Sequence, residues 1–133
     1  MKLARKPFDV PVSKVMSEHL VCVKRDASID EVRAAMLKKN ISHVSVVDDQ
    51  GVPIGMISKT DLLTRGGVGE AKTAVNLMTP GVVSVPSTTT IAIASLLMAR
   101  RKLHGLVVTF DHDRGWLSAS DVVRWVAEQS GGS

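Results

Sequence analysis

Gly55-Met56-Ile57-Ser58-Lys59-Thr60-Asp61 returns as Gly115-Trp116-Leu117-Ser118-Ala119-Ser120-Asp121, a shift of 60 residues. Each copy reads as a short apolar run ending on Ser-x-x-Asp, the spacing at which a side chain caps a helix start and a carboxylate reaches back. Further toward the N-terminus the shift is 62: Val15-Met16-Ser17 matches Leu77-Met78-Thr79, Val21 and Val23 match Val83 and Val85, and Ile29, Met36 and Ile41 match Ile91, Met98 and Leu103. The difference of two implies a shorter connection in the second copy, which a hairpin loop accommodates. A unit of about 60 residues is therefore duplicated.

Local signals define the unit. Ser28-Ile29-Asp30-Glu31 has capping-box spacing, and Ile29, Val32 and Met36 share one helical face, which predicts a helix over Ile29–Lys39. Val44–Val47, turn-forming Asp48-Asp49-Gln50-Gly51 and Ile54–Ile57 predict a β-hairpin. Ser58 opens a second helix through Leu62 and Leu63 that Gly66-Gly67 ends, and Ser118 opens its counterpart through Val122, Val123 and Val126. Each copy thus reads strand, helix, strand, strand, helix. So small a unit buries little surface alone, so the copies are expected to pack together. The expected organisation is a lead-in over residues 1–11, repeat 1 over 12–65, a linker over 66–73, repeat 2 over 74–127 and a flexible end over 128–133.

Composition narrows the function. The 133 residues hold one compact domain or two very small ones, and 44% apolar with 23% charged residues excludes disorder. Aromatics at 3% leave the core to aliphatic side chains and few platforms for stacking bases. A net charge of +4 suits anionic small molecules and is a weak nucleic-acid footprint, so nucleic acid is not an expected partner. Cys22, the single cysteine, lies between Val21 and Val23 and is expected to be a buried, inert thiol in a reducing, cytoplasmic setting. No apolar run approaches the roughly 18 residues of a membrane span, and no Ser-His-Asp order, P-loop, metal tetrad or activated cysteine marks an enzyme.

The openings Val12-Ser13-Lys14-Val15-Met16 and Ala74-Val75-Asn76-Leu77-Met78, the strands Val44-Ser45-Val46-Val47-Asp48 and Leu106-Val107-Val108, and the duplicated G-h-h-S-x-x-D motif resemble the tandem CBS domain pair, or Bateman module. The resemblance implies an α/β fold of α+β type. Two β-α-β-β-α repeats would pack with pseudo-two-fold symmetry around two clefts for AMP, ADP, ATP or S-adenosylmethionine. It also implies regulation rather than catalysis, a homodimer, no required cofactor, and an effector protein acted on in trans. The chain departs from the pattern at Ser45 and Val107, where the family often has proline, at Phe110 opposite Asp48, and in having no aromatic where some members stack on adenine.

The candidate site centres on Ser58 with Asp61 and Ser118 with Asp121. Each pair opens a helix, where N–H groups and the macrodipole favour a phosphate, and a carboxylate suits a vicinal ribose diol. The same spacing is also a plain capping box. By resemblance, Ser118 and Asp121 would share a cleft with Ser17, Val21 and Ile41-Ser42-His43, while Ser58 and Asp61 would share one with Thr79, Val83 and Leu103-His104-Gly105. Val21, Ile41, Val83 and Leu103 read equally as ordinary core residues. Lys59, matched by Ala119, would supply a cation near one phosphate only, or be a solvated lysine. His43 and His104 are phosphate contacts or plain surface histidines. Lys38-Lys39 and Arg100-Arg101-Lys102 suit helix C-termini, and Asp111-His112-Asp113 reads as turn formers before metal ligands.

Overall fold

The computed structural model describes residues 7–65 and 73–131. They form two compact units, Leu20–Val82 and a second that joins the N-terminal segment through His19 to the chain from Val83 onward.

In the first unit, β1 (Cys22–Lys24), α1 (Ile29–Lys39), β2 (His43–Val47), β3 (Pro53–Ser58) and α2 (Lys59–Arg65) are followed by α3 (Ala74–Leu77) and β4 (Thr79–Pro80). The sheet order is β1-β2-β3-β4, with β1 parallel to β2 and the other pairs antiparallel. The predicted capping box forms at α1: Glu31 N–H donates to Ser28 Oγ at 3.1 Å, and Ser28 N–H donates to Glu31 Oε1 at 3.4 Å. Asn40 ends α1 in the left-handed region at φ 52°. The helix buries Val32 and Met36 against Val44, Val46 and Ile57.

The second unit holds β5 (Ser84–Pro86), α4 (Ile91–Arg101), β6 (Gly105–Phe110), β7 (Asp113–Ser118) and α5 (Ala119–Gly131), in sheet order β5-β6-β7. Ile91, Ala94 and Met98 of α4 pack with Leu106, Val108, Leu117 and Val122. Both copies therefore show the predicted β-α-β-β-α order. The tighter second hairpin turns through Asp111, at φ 50°, and His112, while Asp113 already opens β7 opposite Phe110. α5 runs past Ala127 into the stretch read as a flexible end.

The lead-ins cross over. Two short 3-10 turns, Pro7–Asp9 and Val12–Lys14, belong to the unit of the second copy, whose core buries Val10 and Val12. Val12 N–H donates to the Thr89 carbonyl at 2.7 Å, and Trp125 Nε1 donates to the Pro7 carbonyl at 2.8 Å. Ser17 and Trp116 exchange two backbone hydrogen bonds of 2.8 and 2.9 Å along the edge of β7. In the first unit, α3 and β4, which precede the second copy, occupy the matching place, with β4 paired to Gly55 and Met56 of β3.

This pairing explains the motif glycines. A β-carbon on Gly115 would stand 2.4 Å from the Ser17 carbonyl oxygen, and one on Gly55 would stand 2.7 Å from that of Thr79.

Cys22 corrects the sequence reading: it is exposed. β1 is only three residues long, and its alternation turns Val23 inward and Cys22 outward. Gly66-Gly67 and most of the linker lie outside the described residues. Among the described residues no helix is long and apolar enough to cross a membrane.

Candidate ligand-binding site

Each G-h-h-S-x-x-D motif carries its strand straight into a helix. Ser58 ends β3 and precedes α2; its N–H donates to Asp61 Oδ2 at 2.8 Å, while Asp61 N–H donates to Ser58 Oγ at 3.1 Å. Ser118 ends β7 and precedes α5, with the same two bonds to Asp121 at 2.9 and 3.0 Å. The capping reading thus holds at both positions. A cap of this kind also holds the serine and the carboxylate at the helix start, where N–H groups point outward.

Around the first motif, His43 pairs in register with Ser58, Lys59 N–H donates to the Ser42 carbonyl at 2.8 Å, and Val21 accepts from Ser45 N–H at 2.9 Å. Thr79 on β4 pairs with Met56. The first unit therefore gathers Val21, Ser42, His43, Ser58, Lys59, Asp61 and Thr79 on one sheet and its connections. Ile41 and Val21 are half-buried against its apolar cluster, in keeping with the core reading, and Lys59 is exposed. Ser45, where the family often has proline, is fully buried and donates to the Gly55 carbonyl at 3.4 Å.

Around the second motif, Gly105 pairs with Ser118, Ala119 N–H donates to the His104 carbonyl at 2.8 Å, and Val83 accepts from Val107 N–H at 3.0 Å. Leu103 and Val83 are half-buried against this unit's cluster, and His104 is exposed. Ser17 belongs to the unit of Ser118 and Asp121, and Val21 and Ile41-Ser42-His43 to the unit of Ser58 and Asp61.

The two carboxylates differ. Asp121 Oδ1 accepts from Arg124 at 3.2 Å in an ion pair one helical turn on. The equivalent position in the first copy is Thr64, whose hydroxyl donates to the Thr60 carbonyl at 2.8 Å instead. One oxygen of Asp121 is thus engaged by a cation.

The protein-family model for the CBS domain matches twice, over residues 12–66 and 72–128. The chain belongs to the CBS domain family. A curated relative from Methanocaldococcus jannaschii, an uncharacterized protein, is 25% identical over 94% of this chain, which spans 34% of its length. A second relative from that organism, L-aspartate semialdehyde sulfurtransferase, is 25% identical over 90% of this chain, which spans 24% of its length. The CBS pair therefore corresponds to about a third or less of those relatives. Among solved structures, a CBS domain pair in complex with 5'-methylthioadenosine and S-adenosyl-L-methionine shares the fold, with TM-score 0.76, 23% identity, and coverage of 93% of this chain and 98% of that one. CBSX2 in complex with AMP does so with TM-score 0.74, 24% identity, and coverage of 90% and 97%.

Trp116 lies inside the second motif and, by strand alternation, shares a face of β7 with Ser118.

Proposed function

We propose that this CBS pair is a regulatory module that binds an adenosine-containing ligand, AMP, ADP, ATP or S-adenosylmethionine, and passes occupancy to a partner protein in trans. The observation that carries the reading is the duplicated Ser-Asp constellation, with Ser58 and Asp61, and again Ser118 and Asp121, locked at a strand-to-helix junction. The carboxylates would take the ribose diol. The serine hydroxyls, Ser17, Thr79 and the adjoining backbone would take the phosphate or amino-acid end, with Lys59, His43 and His104 at its margin. Val21, Ile41, Val83, Leu103, Ser42 and Gly105 would line the base and sugar. The reading needs no cofactor or metal, no nucleic acid and no catalytic step. We place the module in the cytoplasm as a homodimer, with exposed Leu37 and Leu63 on the helices of the first unit, and Ile93, Leu96 and Val123 on those of the second, as apolar side chains that a partner copy would cover. Ligand would act through different affinities for two states of the assembly.

A second reading, a structural oligomerisation module with empty clefts, is favoured by one observation: both caps are complete without a ligand, and Asp121 is further paired to Arg124. A thermal-shift panel with AMP, ADP, ATP, S-adenosylmethionine and GTP separates the two. Binding to the native state raises stability by about 2.7 kcal/mol at a hundredfold excess over Kd. A shift specific to adenine ligands, reduced by Asp61→Asn or Asp121→Asn, supports the sensor. No shift at millimolar ligand with an intact dimer supports the structural module.

A further inference from the structure

We propose that Arg65 is a positioning residue for the Ser58–Asp61 half-site: it grips the crossing lead-in at the carbonyls that precede Thr79 and so sets where that hydroxyl meets the phosphate end of a ligand. The inference rests on the adenosine-sensor reading and adds to it a residue that touches no ligand.

Thr79 sits on β4, a strand with little ladder of its own. It is two residues long, and Pro80 has no N–H to give, so Thr79 is its single backbone donor. Ahead of it, α3 is one turn of helix, anchored by the buried side chains of Ala74 and Leu77. A helix leaves the carbonyls at its end without helical partners. Those of Leu77 and Met78 both accept from Arg65 Nη2, the second at 3.5 Å. Arg65 is the last residue of α2, the helix that Ser58 and Asp61 open. One short helix thus carries the Ser-Asp cap at its start and the grip on the lead-in at its end. A guanidinium, with donors in a fixed fork and no acceptor, suits two neighbouring carbonyls.

The second copy repeats the device with other chemistry. The shift of 60 that matches Ser58 to Ser118 also matches Arg65 to Trp125, and Trp125 Nε1 donates to the Pro7 carbonyl at 2.8 Å. In each unit the last helix of the repeat reaches the crossing lead-in through a side-chain N–H at the same position. The places gripped differ. Pro7 stands ten residues before Ser17, whereas Leu77 and Met78 directly precede Thr79. Release at Trp125 loosens the start of a lead-in, and release at Arg65 loosens the backbone that delivers the site residue itself.

The test uses the full chain carrying Asp121→Asn, which silences the second half-site, and compares the Kd of AMP with that of adenosine, which lacks the phosphate. Arg65→Met is expected to weaken AMP about three- to tenfold, the worth of one hydrogen bond, and to leave adenosine unchanged. Arg65→Lys, which keeps a donor, recovers part of the loss. In a Thr79→Ala background Arg65→Met has no further effect on AMP, because both changes act on one contact. Trp125→Phe, which releases the other grip, lowers the melting temperature without changing the ratio of the two affinities. An unchanged ratio in Arg65→Met, or losses that add in the double variant, overturns the positioning role and leaves the sensor reading standing. AMP binding to the wild-type chain but not to Asp121→Asn does the same, since the first half-site then takes no ligand. If AMP binds neither chain, both readings fall.

Discussion

The carbonyl oxygen of Ser17 lies 2.4 Å from where a β-carbon on Gly115 would sit, so the N-terminal lead-in closes on β7 only because position 115 has no side chain. Gly115→Ala must push the Ser17 edge away from Trp116. The expected loss is about 1–3 kcal/mol, the usual cost of overpacking a tight site, read as a lower urea midpoint with unchanged m-value. Gly55→Ala behaves alike, because the Thr79 carbonyl oxygen would stand 2.7 Å away. Wild-type stability in both variants would show that the edges shift freely.

Cap and ligand roles separate at the Ser-Asp pairs. Ser58→Ala and Ser118→Ala each remove an N-cap acceptor and should cost about 1 kcal/mol without ligand. Asp61→Asn and Asp121→Asn keep an oxygen for the serine N–H and lose the charge near the helix dipole, about 0.3–1 kcal/mol, with Asp121→Asn also giving up the exposed ion pair to Arg124. Denaturant melts of the four variants without ligand give these values. A larger loss from the Asn variants than from the Ala variants would place the structural role on the carboxylate charge.

Cys22 should react in the folded state. Thiol reactivity requires access, and the side chain is exposed on the outer face of β1. One equivalent of a chromogenic disulfide reagent is expected to label the native protein. Labelling only after addition of denaturant would contradict the exposed placement.

Val12 lies seventy or more residues in sequence from most of the core that buries it, including Ile91, Leu106 and Leu117. Val12→Ala opens a cavity in the second unit and should cost about 2 kcal/mol, whereas exposed Ser13→Ala changes little. Hydrogen exchange should accelerate first in β5, β6 and β7. Uniform acceleration in both units would mean that they unfold as one.

What the sequence revealed and what it hid divide by the range of the interactions. The bounds of α1 were legible because Ser28, Glu31 and the spacing of Val32 and Met36 act within one or two turns. The hairpins were legible from apolar runs flanking turn residues. The crossing of the lead-ins was not: β4 is two residues long and Ser17 contributes a single bridge, too short for any alternation to show. Cys22 was misread for the same reason, since a three-residue strand inside an apolar run does not announce which side faces out. The Ser-Asp pairs stood out by repetition. The place of Trp116 required the β6–β7 register, which sets it against Gly105 rather than against a residue its own neighbourhood names.

The crossed lead-ins bear on ancestry. A polypeptide with one repeat and the segment preceding it would carry a sheet lacking its last edge and an edge with no sheet of its own. Two such molecules would complete each other by trading arms, each lending the piece the other lacks. Joining the two genes end to end makes that trade internal and permanent. The two copies are then free to diverge, as Gly105 with Trp116 and His43 with Met56 already have, without either losing the half it depends on.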